Sequence, residues 1–159
     1  MIDRRDFIRG TVVGSIFALV SGVDVHLWGA ATGSGVDMVI QKNPGCMCCD
    51  RWASHLNDRG ITTRVEEHSD LVSYKDSVDV PRDLRSCHTG VIEDYVVEGH
   101  VPAEDVLRML REKPSIRGIS VPGMPIGSPG MESGGVRDGF DVVAFGETQS
   151  TYVFAEHPA

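Results

Sequence analysis

The chain has 159 residues, of which 41% are hydrophobic and 24% are charged, and its formal net charge is −8 at pH 7. This length and composition are typical of one soluble domain that buries a substantial core. The negative charge and the lack of any run of Lys or Arg argue against nucleic acids and anionic membrane surfaces as partners. A cationic ligand suits such a surface better.

Residues 1–31 have the order of an export signal. Arg4 and Arg5 precede an apolar, uncharged stretch at 11–23, and small residues follow at 29–32. The stretch is shorter than the roughly 20 residues that span a bilayer, and its Arg-Arg-x-Phe pattern is similar to a twin-arginine signal. We therefore expect a mature protein in the bacterial periplasm, where disulfide bonds can form. Its membrane contact would be through the signal only.

The rest of the chain predicts alternating strands and helices. A short apolar strand at 36–40 precedes a helix at 46–59, in which apolar residues recur at helical spacing. A strand rich in β-branched residues at 61–67 and a short helix at 71–78 follow. This part of the chain therefore predicts the order β-α-β-α.

Two further elements complete the predicted core. Two short apolar runs within residues 91–97 indicate a β-hairpin, and a helix follows at 102–113, between two prolines. The full order, β-α-β-α-β-β-α, is that of a thioredoxin-like α/β fold. We expect this metal-binding domain to occupy residues 36–156.

The C-terminal part of the chain has a different composition. Residues 119–135 are rich in Pro and Gly and contain Met124 and Met131, which predicts an irregular loop. Two apolar runs at 140–145 and 151–155 then predict a β-hairpin. These strands would either extend the sheet or cover one of its faces.

The four cysteines are unevenly distributed. Cys46, Cys48 and Cys49 lie within four positions at the predicted start of the first helix, directly after the first strand. Unpaired N–H groups at a helix N-terminus favour thiolates. Cys87 lies in the loop before the hairpin, beside His88. In a thioredoxin-like fold this loop packs against the first helix, so we expect four sulfurs to converge at one end of the sheet.

Three kinds of site fit these residues. Two structural disulfides are possible because the count is even, although adjacent cysteines such as Cys48 and Cys49 bridge only with strain. Cys46 and Cys49 have the C-x-x-C spacing of a catalytic redox couple. A thiolate metal site would use all four sulfurs, and crowded thiolates with thioethers near them favour Cu(I).

Three stretches of the sequence, GCMCCDRWASHLNDRGI, LRSCHTGVIEDYVVEGHVPAEDVLRMLREKP and GISVPGMPIGSPGME, resemble the CopG-like copper-resistance family. The resemblance covers about residues 36–156. It implies a thioredoxin-like fold, copper binding and a role among copper-resistance proteins. A role in redox chemistry, of copper or of thiols, has been proposed for such proteins. The ligands that it implies are Cys46, Cys48, Cys49 and Cys87, with His88, Met124 and Met131 as further matching positions.

The sequence and the resemblance together predict a periplasmic copper-resistance protein that binds Cu(I) through clustered thiolates. Copper ions are its expected ligand, and other periplasmic copper-handling proteins are its expected partners. The alternative is a thiol–disulfide oxidoreductase that uses Cys46 and Cys49. Whether the protein has any enzymatic turnover stays open at this point.

Overall fold

The computed structural model describes residues 36–146 and 150–159. The predicted export signal at 1–31 lies outside these residues. None of the helices in the described ranges is long and apolar enough to cross a membrane.

The described residues form a mixed α/β fold with seven strands in one sheet. The strands are β1 Val36–Lys42, β2 Ile61–Glu67, β3 His88–Ile92, β4 Tyr95–Glu98, β5 Gly118–Ser120, β6 Phe140–Phe145 and β7 Thr151–His157. Their order across the sheet is β2-β1-β3-β4-β5-β6-β7. Strands β1 and β2 are parallel, as are β4 and β5, and the other neighbours are antiparallel.

Three α-helices accompany the sheet in the described ranges. They are α1 Met47–Asn57, α2 Leu71–Ser77 and α3 Ala103–Glu112, and a short 3₁₀ helix spans Arg82–Leu84. Asp70 caps the start of helix α2, because its carboxylate accepts a hydrogen bond from the Ser73 N–H. Each of the three predicted helices is confirmed, with ends that lie within two residues of the predicted ones.

The C-terminal hairpin extends the sheet, which settles the choice that the sequence left open. Strand β6 pairs with β5, and β7 follows at the edge. Strand β5 was not predicted. It has only three residues, and its pairing with β4 and β6, rather than the propensity of its own residues, makes it a strand.

The buried face of α1 follows the predicted helical spacing. Cys49, Trp52, Ala53 and Leu56 are buried, and Trp52 packs in the core that contains Met38. The Trp52 Nε1–H donates to the Val101 carbonyl at 2.8 Å. These contacts hold the first turn of α1, with its cysteines, at the carboxyl end of β1.

We predict that Gly118→Ala destabilises the sheet. A Cβ at residue 118 would lie 2.1 Å from the Val96 carbonyl oxygen and 2.8 Å from the Phe145 ring, so β4 and β6 would have to move. The free energy of unfolding should fall by about 2–3 kcal/mol, measured by urea denaturation. Gly139→Ala is the control, because its nearest contact would be 3.3 Å away. Equal stability of the two variants would contradict this prediction.

Candidate metal centre

The register between β1 and β3 brings the two cysteine segments together. Lys42, at the end of β1, pairs with His88, at the start of β3. Cys87 therefore lies one residue from the point where β1 leads into the turn before α1. The Lys42 side chain supports the same turn, because its Nζ lies 3.5 Å from the Cys46 carbonyl oxygen.

The four cysteine sulfurs converge, as the sequence predicts. The Sγ of Cys48 lies 3.5 Å from that of Cys46 and 3.9 Å from that of Cys87. The Sγ atoms of Cys49 and Cys87 are 3.7 Å apart. The four Sγ atoms all lie within 4.8 Å of one another.

Two of the four sulfurs form a disulfide, and the other two are thiols. The bond joins Cys46 to Cys49, the pair with C-x-x-C spacing, and Cys48 and Cys87 are free. Cys46 is the N-cap residue of α1, whereas the Cys49 side chain is fully buried. Of the two bonded sulfurs, the one at Cys46 is therefore the more accessible to a reductant.

Cys87 is a protonated thiol at neutral pH. Its burial and the neighbouring Cys48 raise its pKa to about 12. The effect of burial on the pKa of Cys87 is therefore larger than the effect of the helix N-terminus, which we expect from the sequence to favour thiolates. A metal ion that binds this sulfur has to displace a proton.

His100 lies against Cys87 in an orientation that the structure defines. Its Nε2 is 3.3 Å from the Cys87 Sγ, and its Nδ1 is 2.8 Å from the Pro129 carbonyl oxygen. A carbonyl only accepts hydrogen bonds, so Nδ1 carries the proton and Nε2 presents a lone pair towards the sulfur. Metal-binding histidines commonly have such a partner on their second nitrogen.

His88 also borders the cluster, as the sequence predicts. Its Nδ1 lies 3.3 Å from the Cys87 Sγ, and its ring packs on Trp52 and against the edge of His100. Its Nε2 is buried and has no hydrogen-bond partner among the described residues. Burial lowers the pKa of both His88 and His100, so both imidazoles are neutral at pH 7.

The Pro- and Gly-rich loop is held around the cluster through its backbone. The Gly123 carbonyl accepts a hydrogen bond from the Ser86 hydroxyl, next to Cys87. The Gly130 carbonyl accepts one from the Arg51 Nε at 2.9 Å. Together with the Pro129 carbonyl at His100, these bonds fasten residues 123–130 to both cysteine segments.

The two loop methionines follow these attachment points. Met124 comes directly after Gly123 and has 54% of its side chain exposed, and Met131 comes directly after Gly130 and is partly buried. The bonds that hold the loop are made by backbone carbonyls. A role for either thioether as a ligand stays a prediction.

The residues present fit a soft metal ion. With metal–sulfur bonds of about 2.3 Å, two sulfurs on one tetrahedral ion lie about 3.8 Å apart. The sulfurs of the free thiols Cys48 and Cys87 are 3.9 Å apart, which is close to that value. The sulfurs of Cys46 and Cys49 can take such a spacing only after their disulfide is reduced. Cys87, His88 and His100 form a second group with ligand atoms within 4.8 Å, and Cys87 belongs to both groups. The buried His88 Nε2 is the kind of unsatisfied atom that an ion or a water molecule would satisfy.

The sequence reasoning did not assign His100 to this site. A single His between a strand and a helix is more often a structural hydrogen-bonder, so its place in the sequence does not by itself indicate a ligand. The missing information is spatial, because the sulfur that it contacts is 13 residues away and its carbonyl partner is 29 residues away. The EGHVP stretch in the resemblance was the one available signal.

A mixed α/β sheet that carries four cysteines and two neutral histidines at one end defines a protein with a cysteine cluster capable of holding a metal ion. A family model, "Protein of unknown function, DUF411", matches residues 84–131. A comparison with curated proteins finds no match.

Two solved structures are similar to most of the chain. They are "Copper resistance protein copG- Form 1" and "Copper resistance protein copG- Form 2". The first is 40% identical with a TM-score of 0.75, and the match covers 79% of this chain and 99% of that one. The second is 41% identical with a TM-score of 0.74 and covers 77% and 98%. The chain therefore belongs to the CopG family of copper resistance proteins.

We predict that Gly130→Ala loosens the loop from α1. A Cβ at Gly130, whose φ is +84°, would lie 2.8 Å from the Cys48 carbonyl oxygen and the Trp52 nitrogen. Alkylation of Cys48 and Cys87 in the unreduced protein should accelerate about fivefold, the effect of roughly 1 kcal/mol on local opening.

Gly123→Ala is the matched control for this test. Its φ is +70°, so it carries the same backbone strain, but nothing lies within 4 Å of the added Cβ. It should alkylate at nearly the wild-type rate. If both variants accelerated equally, backbone strain and not the contact with α1 would be the cause.

Proposed function

We propose that this protein is an exported copper-resistance protein that binds Cu(I) through Cys46, Cys48, Cys49 and Cys87. The convergence of Cys87 on the three cysteines of α1 carries the proposal, because a C-x-C-C segment alone would offer ligands from one element only. The names of the two similar structures point to copper. Soft thiolates favour Cu(I) over harder ions.

The disulfide defines what must happen before all four sulfurs can bind. A reductant has to supply two electrons and two protons to the Cys46–Cys49 bond, which yields two thiols. In the oxidised form, Cys48 and Cys87 remain as thiols beside the lone pair of His100. The site therefore offers fewer sulfur ligands when oxidised, which couples copper binding to the thiol redox state.

The surrounding residues have separate proposed roles. His88 and His100 are neutral and lie beside Cys87, so they supply nitrogen ligands or hydrogen bonds without adding charge. Met124 and Met131 lie on a loop attached to both cysteine segments, where their thioethers can guide Cu(I) in or out. The predicted twin-arginine signal supports a periplasmic location for this proposed activity, with other copper-handling proteins there as proposed partners.

A thioredoxin-like scaffold is part of this proposal. The first α-helix begins with the C-x-x-C pair directly after β1, a parallel strand β2 follows, and the antiparallel pair β3–β4 precedes α3. The three additional strands, β5 to β7, then extend that core at one edge. This arrangement supports the thioredoxin-like interpretation of the sequence.

The second candidate function is thiol–disulfide exchange, and the Cys46–Cys49 bond favours it. A substrate thiolate would attack Cys46, form a mixed disulfide and release Cys49 as a thiolate. The Cys87 thiol, 3.7 Å from the Cys49 sulfur, is then placed to interact with it. Rapid turnover of a disulfide substrate together with weak copper binding would favour this function over the first.

An anaerobic Cu(I) titration of the reduced protein against a competing chelator tests the first function. We expect tight binding with all four thiols protected from alkylation. Cys87→Ser should weaken binding at least about tenfold, because it removes the ligand shared by both groups. Met47→Leu is the control, since this neighbouring side chain is 73% exposed and should leave affinity unchanged. Unchanged affinity and stoichiometry in Cys87→Ser would contradict the proposal.

Copper binding should strengthen as the pH rises. Below its pKa of about 12, Cys87 carries a proton that the ion must displace, so the apparent affinity should rise about tenfold per pH unit for each displaced proton. The histidines add little to this slope above pH 7, because their pKa values are lowered and they are already neutral.

The measurement is the Cu(I) dissociation constant at several pH values between 6 and 8, or the protons released into weak buffer. Cys87→Ser should release about one proton fewer than the wild type. Affinity that does not change with pH would mean that protonated thiols are not the ligands.

A further inference from the structure

Beneath the cysteine cluster lies a buried carboxylate with three hydrogen-bond donors. Glu98, the last residue of β4, is fully buried. Its Oε1 accepts from the Ser86 N–H at 2.6 Å and from the Lys75 Nζ at 2.5 Å. Its Oε2 accepts from the Thr89 hydroxyl at 2.6 Å. Lys75 also donates to the Thr89 Oγ1 at 2.8 Å and is itself buried.

Two of these donors, from Ser86 and Thr89, lie on either side of Cys87 and His88 in the sequence. Ser86 precedes Cys87, and Thr89 follows His88. One carboxylate therefore fastens the chain immediately before Cys87 and immediately after His88. The segment between these two bonds can move little unless one of them breaks.

The chain that follows Glu98 reinforces the same segment. The Gly99 N–H donates to the His88 carbonyl at 3.1 Å. Gly99 has a φ of +74°, and a Cβ there would lie 2.7 Å from the Ser86 Cβ. Only glycine permits this close approach. The next residue is His100, so the turn that begins at Glu98 also positions the second histidine.

A contribution to the stability of the fold is a weak explanation for the buried ion pair between Lys75 and Glu98. Taking both charges out of water costs several kcal/mol, and buried ion pairs can often be replaced by apolar residues at little or no cost in stability. Burial lowers the pKa of Lys75, and the Glu98 carboxylate opposes that shift. The pair lies where its hydrogen bonds act on the Cys87 segment, and outer partners of this kind orient ligands in metal sites.

We propose that Glu98, held by Lys75, is a positioning residue that keeps Cys87 within reach of the sulfurs of α1. The inference rests on the proposed function, because metal binding is what requires this placement. Glu98 need not contact the metal. It acts through the Ser86 N–H and the Thr89 hydroxyl.

Two double variants separate the hydrogen bonds from the charges. In Glu98→Gln/Lys75→Met the charges are gone, but the amide oxygen still accepts from the Ser86 N–H and the amide nitrogen can donate to Thr89. In Glu98→Leu/Lys75→Met the charges and the hydrogen bonds are both gone. The two variants share the Met substitution, so their difference reports the hydrogen bonds to the Cys87 segment.

A copper-free measurement reports the position of Cys87. In the full chain with Cys46→Ala and Cys49→Ala, Cys48 and Cys87 are the two remaining thiols, and their sulfurs are 3.9 Å apart in the wild type. Equilibration with glutathione disulfide oxidises the two thiols to one disulfide and reduces glutathione disulfide to two glutathione molecules. The equilibrium constant gives the effective concentration of one thiol at the other.

The parent protein for this measurement is the full chain with Cys46→Ala and Cys49→Ala. We expect the Glu98→Gln/Lys75→Met variant (the Gln/Met pair) to keep the effective concentration within about threefold of the parent value. We expect the Glu98→Leu/Lys75→Met variant (the Leu/Met pair) to lower it about tenfold or more. Equal values for the Gln/Met and Leu/Met pairs would overturn the positioning role. Cu(I) affinity, measured with all four cysteines restored, should follow the same order. If wild-type protein bound no Cu(I) while the thiol measurement separated the pairs, the proposed function would fail and the positioning role would stand.

Thr89→Val keeps the proposal testable if the Leu/Met pair does not fold. This substitution preserves shape and removes the hydrogen bond to Oε2, together with the one that the Thr89 hydroxyl accepts from Lys75. The effective concentration should then fall about threefold, less than for the full loss of both bonds. A value equal to that of the parent protein would count against the proposal.

Discussion

Strand β3 pairs with β1 in a register that sets His88 opposite Lys42. The chain leaves β1 at Lys42 and reaches Cys46 after a three-residue turn, whereas it enters β3 directly from Cys87. Both cysteine segments are thus at the same end of neighbouring strands. A shift of two residues in this pairing would move Cys87 by about 6–7 Å along the strand, and the sulfur separations below 4 Å would be lost. Every chemical property of the site depends on this register.

The side chains of His88, His100, Glu98 and Lys75, which lie around the Cys87 segment, are either neutral or paired in charge. His88 and His100 are neutral, and the charges of Glu98 and Lys75 are paired with each other. If a metal ion binds at Cys87 as proposed, the sulfur loses its proton and the negative charge of the thiolate is paired with the bound cation, so solvent does not have to stabilise it. A raised pKa of the Cys87 thiol is therefore compatible with the proposed ligand role, since the bound cation would supply the positive charge that the buried site lacks.

Much of the fold follows from local sequence patterns. The helical spacing of Cys49, Trp52 and Leu56 predicts the buried face of α1. Strand β5 could not be predicted in this way, because it overlaps the start of the Pro- and Gly-rich stretch at 119–135, and its three residues become a strand only when β4 and β6 lie beside them. Local patterns report the preferences of short segments, and they do not report pairing across the sheet.

The site shows the same division. Cys46, Cys48, Cys49 and Cys87 could be grouped from their placement relative to the expected strands, and the structure brings them together. The sequence could not choose between a disulfide and free thiols at Cys46 and Cys49, since their spacing serves both. The tautomer of His100 and the bonds of Glu98 depend on residues far along the chain. These contacts follow from the arrangement of the loop and the sheet in three dimensions, which the sequence pattern does not report.

Copper K-edge X-ray absorption of the reduced protein loaded anaerobically with Cu(I) tests the central claim most directly. The account predicts the edge of Cu(I) and a first shell dominated by sulfur. In Cys87→Ser protein, it predicts fewer sulfur neighbours per copper. A first shell of nitrogen and oxygen atoms in the wild type, or a sulfur count that Cys87→Ser leaves unchanged, would contradict the claim that the four converging cysteines form the copper site.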